Sequence, residues 1–170
     1  MQVDSEQLEF VVVLSGTWWR QPPKFAIYID DKLMVEDVTR ALPSGIGTEN
    51  ESTMTPLDRA NSRQEIRFTA DLEPGEHRLS VRLMEKTHSD TMFINGQRIK
   101  DMLLNIEAVR IDDVDIENLV FSDSYYDTDR EVMYDGQRTQ QIRGCTSLGY
   151  VGTWHLPFTS PFYLWLLERL

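Results

Sequence analysis

The chain has 170 residues, 41% hydrophobic and 26% charged, with a formal net charge of −11. That length predicts one domain, residues 1–170, and an acidic surface without a basic stripe excludes nucleic acid as a partner. A single cysteine, Cys145, excludes an intrachain disulfide, and the ungrouped His77, His88 and His155 offer no zinc-ligand spacing.

The opening stretch MQVDSEQLEFVVVLS is too acidic for a signal peptide, and no apolar run is long enough to span a bilayer, so no membrane partner is expected. Gln7 to Ser15 predicts a first strand with Leu8, Phe10, Val12 and Leu14 on one face. Val11 and Val13 thicken the other face, which makes the strand central. Ser15-Gly16-Thr17 is expected to break it, and Pro22-Pro23 marks a loop, since proline has no ladder donor. Phe25, Ile27 and Ile29 alternate through Lys24 to Asp30, and Asp30-Asp31-Lys32 turns the chain into Leu33 to Val38 as a hairpin.

Residues 39–63 carry Pro43, Gly45, Gly47 and Pro56 without periodicity and predict a long surface loop. Gln64 to Leu72 alternates again, with Ile66, Phe68 and Ala70 on one side, and Glu73-Pro74-Gly75-Glu76 forms a β-turn. Two longer strands follow. His77 to Met84 places His77, Leu79, Val81 and Leu83 opposite Arg78, Ser80 and Arg82. Met102 to Ile111 places Met102, Leu104, Ile106 and Ala108 on one face, with Leu103, Val109 and Ile111 on the other. The polar connection between them carries an Asn95-Gly96 turn.

Beyond Ile111, Asp112 to Ile116 predicts a turn and a short strand, and Leu119-Val120-Phe121 another strand. Ser122 to Asp129 reads as an acidic, tyrosine-bearing loop, and Tyr134-Asp135-Gly136 as a turn between short edge strands. Leu148 to Phe158 resumes extended character. Ser160 as N-cap and Pro161 at the first helical position start a C-terminal helix over residues 160–170. That helix is apolar nearly all round, so it must be buried against its own sheet or another subunit. The fold class is therefore all-β, a β-sandwich of jelly-roll type with a short C-terminal helix.

Asp123, Asp127 and Asp129 offer hard oxygen ligands to calcium, whereas Asp112, Asp113, Asp115 and Glu117 read as solvated turn residues. Trp18, Trp19, Tyr125 and Tyr126 are candidates for an aromatic platform for sugar rings. Adjacent strand residues face opposite ways, so an extended Trp18-Trp19 pair would have one core and one exposed member. With no GxSxG elbow, HExxH helix or phosphate loop, the chain is expected to be no enzyme.

The segments LEFVVVLSGTWWRQPPKFAIYID, Pro74 to Val81 and Asn105 to Asp115 resemble the small calcium-dependent xylan-binding carbohydrate-binding modules. Those modules share a first strand, a Gly-containing loop, a hairpin turn with Asp and a Pro-Gly-x-His strand. The resemblance implies glycan binding with calcium as the ion, and puts the ligand loop at Glu85 to Thr91, where Glu85 and Asp90 are the acidic residues. The runs KTHSDT, NGQRIKDMLLNIEAVRIDDVDI and LGYVGTWHLPFTSPFYLWLLERL are similar to small virion structural proteins of tailed bacteriophages, particularly myophages. That likeness implies a virion component made in the host cytoplasm, decorating the capsid or belonging to the tail, baseplate or fibre. It would need no cofactor and would assemble with itself and other virion proteins. Trp18, Trp19 and the ending, with Phe162, Tyr163, Trp165, Leu166 and Leu170, would make the contacts. The virion role is the leading expectation. A carbohydrate-binding module that recognises host or environmental polysaccharide is the alternative.

Overall fold

Strand β1 (Glu6–Trp18) organises one sheet of the computed structural model, which describes residues 4–39, 42–43 and 63–169. Leu8, Phe10, Val12 and Leu14 enter the core, and Val11 and Val13 are also buried on the opposite face, so both edges and both faces are covered. β5 (Gln64–Leu72) pairs antiparallel along one edge and β9 (Leu103–Ile111) along the other. Short strands β4 (Leu42–Pro43), β10 (Val114–Asp115) and β13 (Ser147–Leu148) complete this six-stranded sheet, and β7 (Met92–Ile94) and β8 (Gln97–Lys100) pair separately.

The facing sheet is also six-stranded, in the order β12-β11-β14-β6-β2-β3. Its strands are β2 (Lys24–Ile29), β3 (Lys32–Val38), β6 (Gly75–Leu83), β11 (Tyr125–Tyr134), β12 (Gln137–Arg143) and β14 (Gly152–Ser160). The chain crosses between sheets after β1, β3, β5, β6, β10, β12 and β13, the alternation of a jelly-roll sandwich. Phe25, Ile27, Leu79, Val81, Trp154, Leu156 and Phe158 meet the inner face of the first sheet. Phe10 sits at the centre, stacked on Phe68 at 5.2 Å and tilted against Phe158 at 5.8 Å. The loop expected over residues 39–63 lies outside the described residues, apart from its ends and β4.

Several expectations are corrected. Glycine does not break β1. Gly16 lies so close to the Leu103 carbonyl that any Cβ would strike it, and the strand continues through Trp18 because this residue has none. Gly16→Ala is expected to cost about 1–3 kcal/mol by overpacking, read as a lower urea midpoint at an unchanged slope. In β9 the register slips between Val13 and Leu14, which leaves Glu107 as a bulged residue. Val109 and Ile111 therefore join Leu104 and Ile106 in the core, and Ala108 leaves it.

Leu119-Val120-Phe121 is not a strand but part of helix α1 (Glu117–Ser122), whose first N–H donates to the Asp115 carboxylate at 2.9 Å. The segment expected as an acidic loop supplies the start of β11, paired on both sides. At the C-terminus, Ser160 ends β14 and does not cap helix α2 (Phe162–Leu167). The cap is Glu6, whose Oε1 accepts from Ser160 Oγ and from the Phe162 N–H, each at 2.7 Å. Phe162 and Trp165 are buried, with ring centroids 5.9 Å apart, and Trp165 meets Phe158 edge-on at 6.3 Å. The helix rests on its own sandwich.

Candidate ligand-binding face

The outer face of the β12-β11-β14-β6-β2-β3 sheet gathers residues distant in sequence. Register places Tyr125 opposite His155, His155 opposite Ser80, and Ser80 opposite Tyr28, one row across four strands. The next row runs Gln141, Asp127, Thr153, Arg82 and Ala26. Arg82 forks onto Asp129 at 2.7 and 3.0 Å and reaches Thr153 Oγ1 at 3.1 Å. That hydrogen bond holds the Asp129 carboxyl below the usual carboxylate range. Gln141 Nε2 donates to Asp127 at 3.1 Å.

His155 is the hinge of this arrangement. Its Nδ1 lies 2.7 Å from Ser80 Oγ, its Nε2 lies 3.5 Å from Asp127, and Tyr125 packs against its ring with centroids 5.0 Å apart. Burial, reinforced by Arg78, pushes the imidazole down to about 4, so it is neutral at pH 7. Ser80, His155 and Asp127 line up like a nucleophile relay. However, Ser80 is only 2% exposed, and an imidazole that weakly basic is a poor proton acceptor. The row fixes the tilt of Tyr125 and offers no route to reaction.

Beside Tyr125 an open depression of about 470 Å³ lies between the outer face of the sheet and the α2 end of the chain. Arg78, Glu76, Asp31, Thr159 and Arg169 line it with Tyr125. Its charges are partly paired already, Arg78 with Asp31 at 3.4 Å and Arg169 with Asp123. An aromatic ring among paired, mutually neutralised hydrogen-bonding groups suits a neutral polyhydroxylated ligand better than a free anion or cation.

No family model matches the chain, and no curated protein matches it in sequence. Among solved structures, vCBM60 in complex with galactobiose aligns over 87% of this chain and 96% of its own, with TM-score 0.50 and 6% identity. The chain is similar in fold to vCBM60. A SeMet form of vCBM60, from work on circular permutation between two families of calcium-dependent carbohydrate binding modules, aligns over 88% of this chain and 89% of its own. There the TM-score is 0.43 and the identity 11%. What this chain shares with vCBM60 is the sandwich, which the first of the two resemblances led one to expect.

The structure disperses most of the expected site residues. Of the aromatic platform, Tyr125 lies on this face, but its neighbour Tyr126 points into the core at 1% exposure, its hydroxyl donating to the Tyr150 carbonyl. Trp18 ends β1, and Trp19 follows it as a half-buried ring, donating to the Asp90 carbonyl at 2.8 Å, with Lys100 5.5 Å from its centroid. Asp127 and Asp129 share the face with Tyr125. Asp123 pairs with Arg169, and Asp90 is buried, accepting from the Thr87 N–H at 2.9 Å. Among the described residues no three His, Cys, Asp or Glu side chains converge to hold a metal, and the four aspartates are not brought together in one cluster. Phe162 and Trp165 are core residues, not contact residues. Leu166 packs half-buried on the core, Tyr163 is exposed, and Leu170 lies outside the described residues. Arg78, Arg82, His155, Tyr28 and Gln141 were not anticipated. The polar alternates of the His77 to Met84 strand were the signal for the two arginines.

Proposed function

We propose that this chain is a non-catalytic carbohydrate-binding module that takes a neutral glycan along the outer face of the six-stranded sheet, with Tyr125 as the stacking ring. The observation that carries the reading is Tyr125 itself, held against His155 at the rim of a depression where Arg78 pairs with Asp31, with the Arg82–Asp129 fork farther along the same face. Sugar C–H groups carry slight positive charge toward the negative face of an aromatic ring, and these pairs supply planar donors and acceptors to hydroxyls. The likeness of fold to a module seen with galactobiose supports the same reading and makes galactose-based oligosaccharides the first class to try.

The test is retention on a panel of polysaccharides, galactan included, in calcium and then in chelator. Tyr125→Ala is expected to weaken binding roughly tenfold, while Trp19→Ala leaves it unchanged. Retention lost with Trp19→Ala but kept with Tyr125→Ala would move the site to the far end of the sandwich.

A second reading keeps the virion role: a non-enzymatic structural component of a phage particle. Its support is the outer side of α2, where Tyr163, Leu164 and Leu167 are 51%, 60% and 68% exposed. Apolar side chains grouped on one short helix suit a contact with another protein or another copy.

A further inference from the structure

The connection between β6 and β9 is pinned by a buried lysine. The Lys86 side chain is 9% exposed, and its Nζ donates to Asp101 Oδ1 at 2.6 Å, the Met102 carbonyl at 2.9 Å and the Gly149 carbonyl at 2.6 Å. Those oxygens use all the donors an ammonium has. They also come from separate parts of the fold, the approach to β9 and the turn before β14. Asp101, itself 9% exposed, gathers further donors: Thr91 Oγ1 at 2.7 Å, the Met102 N–H at 2.9 Å and Arg98 at 3.1 Å. Alongside, Asp90 takes Gln21 at 3.3 Å through its carboxylate and Trp19 through its carbonyl, which ties the same connection to the end of β1.

A carboxylate and two main-chain carbonyls converging on one buried positive centre is the oxygen donor set that a hard divalent ion takes. Here the centre is the protein's own ammonium. We infer that Lys86 is the resident cation of this loop, a built-in substitute for a divalent ion, and that the Glu85–Thr91 segment holds its shape without metal. The inference stands apart from the glycan reading, because it concerns the folding of the connection and not the outer face of the other sheet. Burial works against the charged lysine and Asp101 works for it. Such a pair adds little net stability, yet removing one partner leaves the other buried and uncompensated.

The test is thermal unfolding of the full chain in millimolar calcium chloride and in excess EDTA. The native protein is expected to melt at the same temperature in both. Lys86→Met, whose side chain fills the cage without charge, is expected to melt roughly 10 °C lower in both. Lys86→Ala, which vacates the cage, is expected to melt comparably low in EDTA and to recover at least half the loss in calcium. The exposed Lys24→Met serves as control and should shift by no more than about 2 °C. A native protein whose midpoint falls in EDTA would overturn the inference. So would Lys86→Met melting with the Lys24 control, or Lys86→Ala behaving identically in the two buffers or folding in neither.

Discussion

Between pH 7 and pH 4 the protein is expected to lose about 3 kcal/mol of unfolding free energy through His155 alone. His155 is 8% exposed, and burial together with Arg78 lowers its pKa to about 4, from an ordinary imidazole value of 6.5. The unfolded chain therefore binds a proton that the folded chain refuses. Stability is fully present above the unfolded value and is lost as the pH falls from 6.5 toward 4. The tautomer consistent with the geometry carries its proton on Nε2, toward Asp127, and accepts from Ser80 at Nδ1; protonation would place a second donor against the serine hydroxyl. His77 works in the other direction. Burial pulls it down, but its hydrogen bond to Asp30 and the Glu73 carbonyl outweigh that and raise it, so its contribution is present below 6.5 and fades as the pH rises through the raised folded value. The check is urea unfolding followed by tryptophan fluorescence at pH 7, 6, 5 and 4, beside His155→Gln, which cannot titrate. The variant should be nearly flat between about pH 6.5 and 5.5, above the ordinary carboxylate range. A wild-type curve parallel to that of the variant would mean that His155 takes up its proton without cost.

Local chemistry made much of the fold readable. The tight turns at Asp30-Asp31, Asn95-Gly96, Asp112-Asp113 and Asp135-Gly136 all contain residues at positive φ, the conformation that Asn, Asp and Gly tolerate best. Alternation placed Leu8 to Leu14, Phe25 to Ile29 and Leu79 to Leu83 on their core faces. What local pattern could not carry is register. One bulged residue, Glu107, reverses the facing of everything after it in β9, and no feature of NIEAVRI announces the slip. Gly16 looks like a strand breaker until the Leu103 carbonyl is brought beside it. The cap of α2 comes from Glu6, at the other end of the chain, where no spacing rule applies. The candidate site was half legible for the same reason. Tyr125, Asp127 and Asp129 stood out as residue types, and period 2 puts them on one side of a strand, but only if the segment is a strand. Their partners Arg82, Thr153, His155 and Gln141 arrive through pairing of β12 and β14 with β11 and of β6 with β14. Tyr126 shows the cost of reading residue type without facing: one position along, the same aromatic chemistry is core.

Replacing Trp165 with alanine is expected to cost about 3–5 kcal/mol. The indole is 3% exposed, wedged against Phe158 and Phe162, and Arg169 covers its face at 5.6 Å. A helix as short as α2 has no stability of its own, so removing its anchor releases the helix and uncovers the Phe158 end of the core. Leu164→Asp combined with Leu167→Asp lies on the solvent side of the same helix and should change stability by no more than about 0.5 kcal/mol per site. Denaturant unfolding and analytical ultracentrifugation on the two variants separate packing from assembly. If α2 is core on one side and contact surface on the other, Trp165→Ala loses stability, and the double aspartate variant keeps its stability but sediments as a smaller species than the wild type. If the glycan reading stands alone, the double variant matches the wild type in both measurements. A Trp165→Ala protein that melts normally but no longer associates would put the indole in a partner and not in this chain's own core, contrary to the packing against Phe158 and Phe162. The helix would then be an arm, and the sandwich would have to be complete without it.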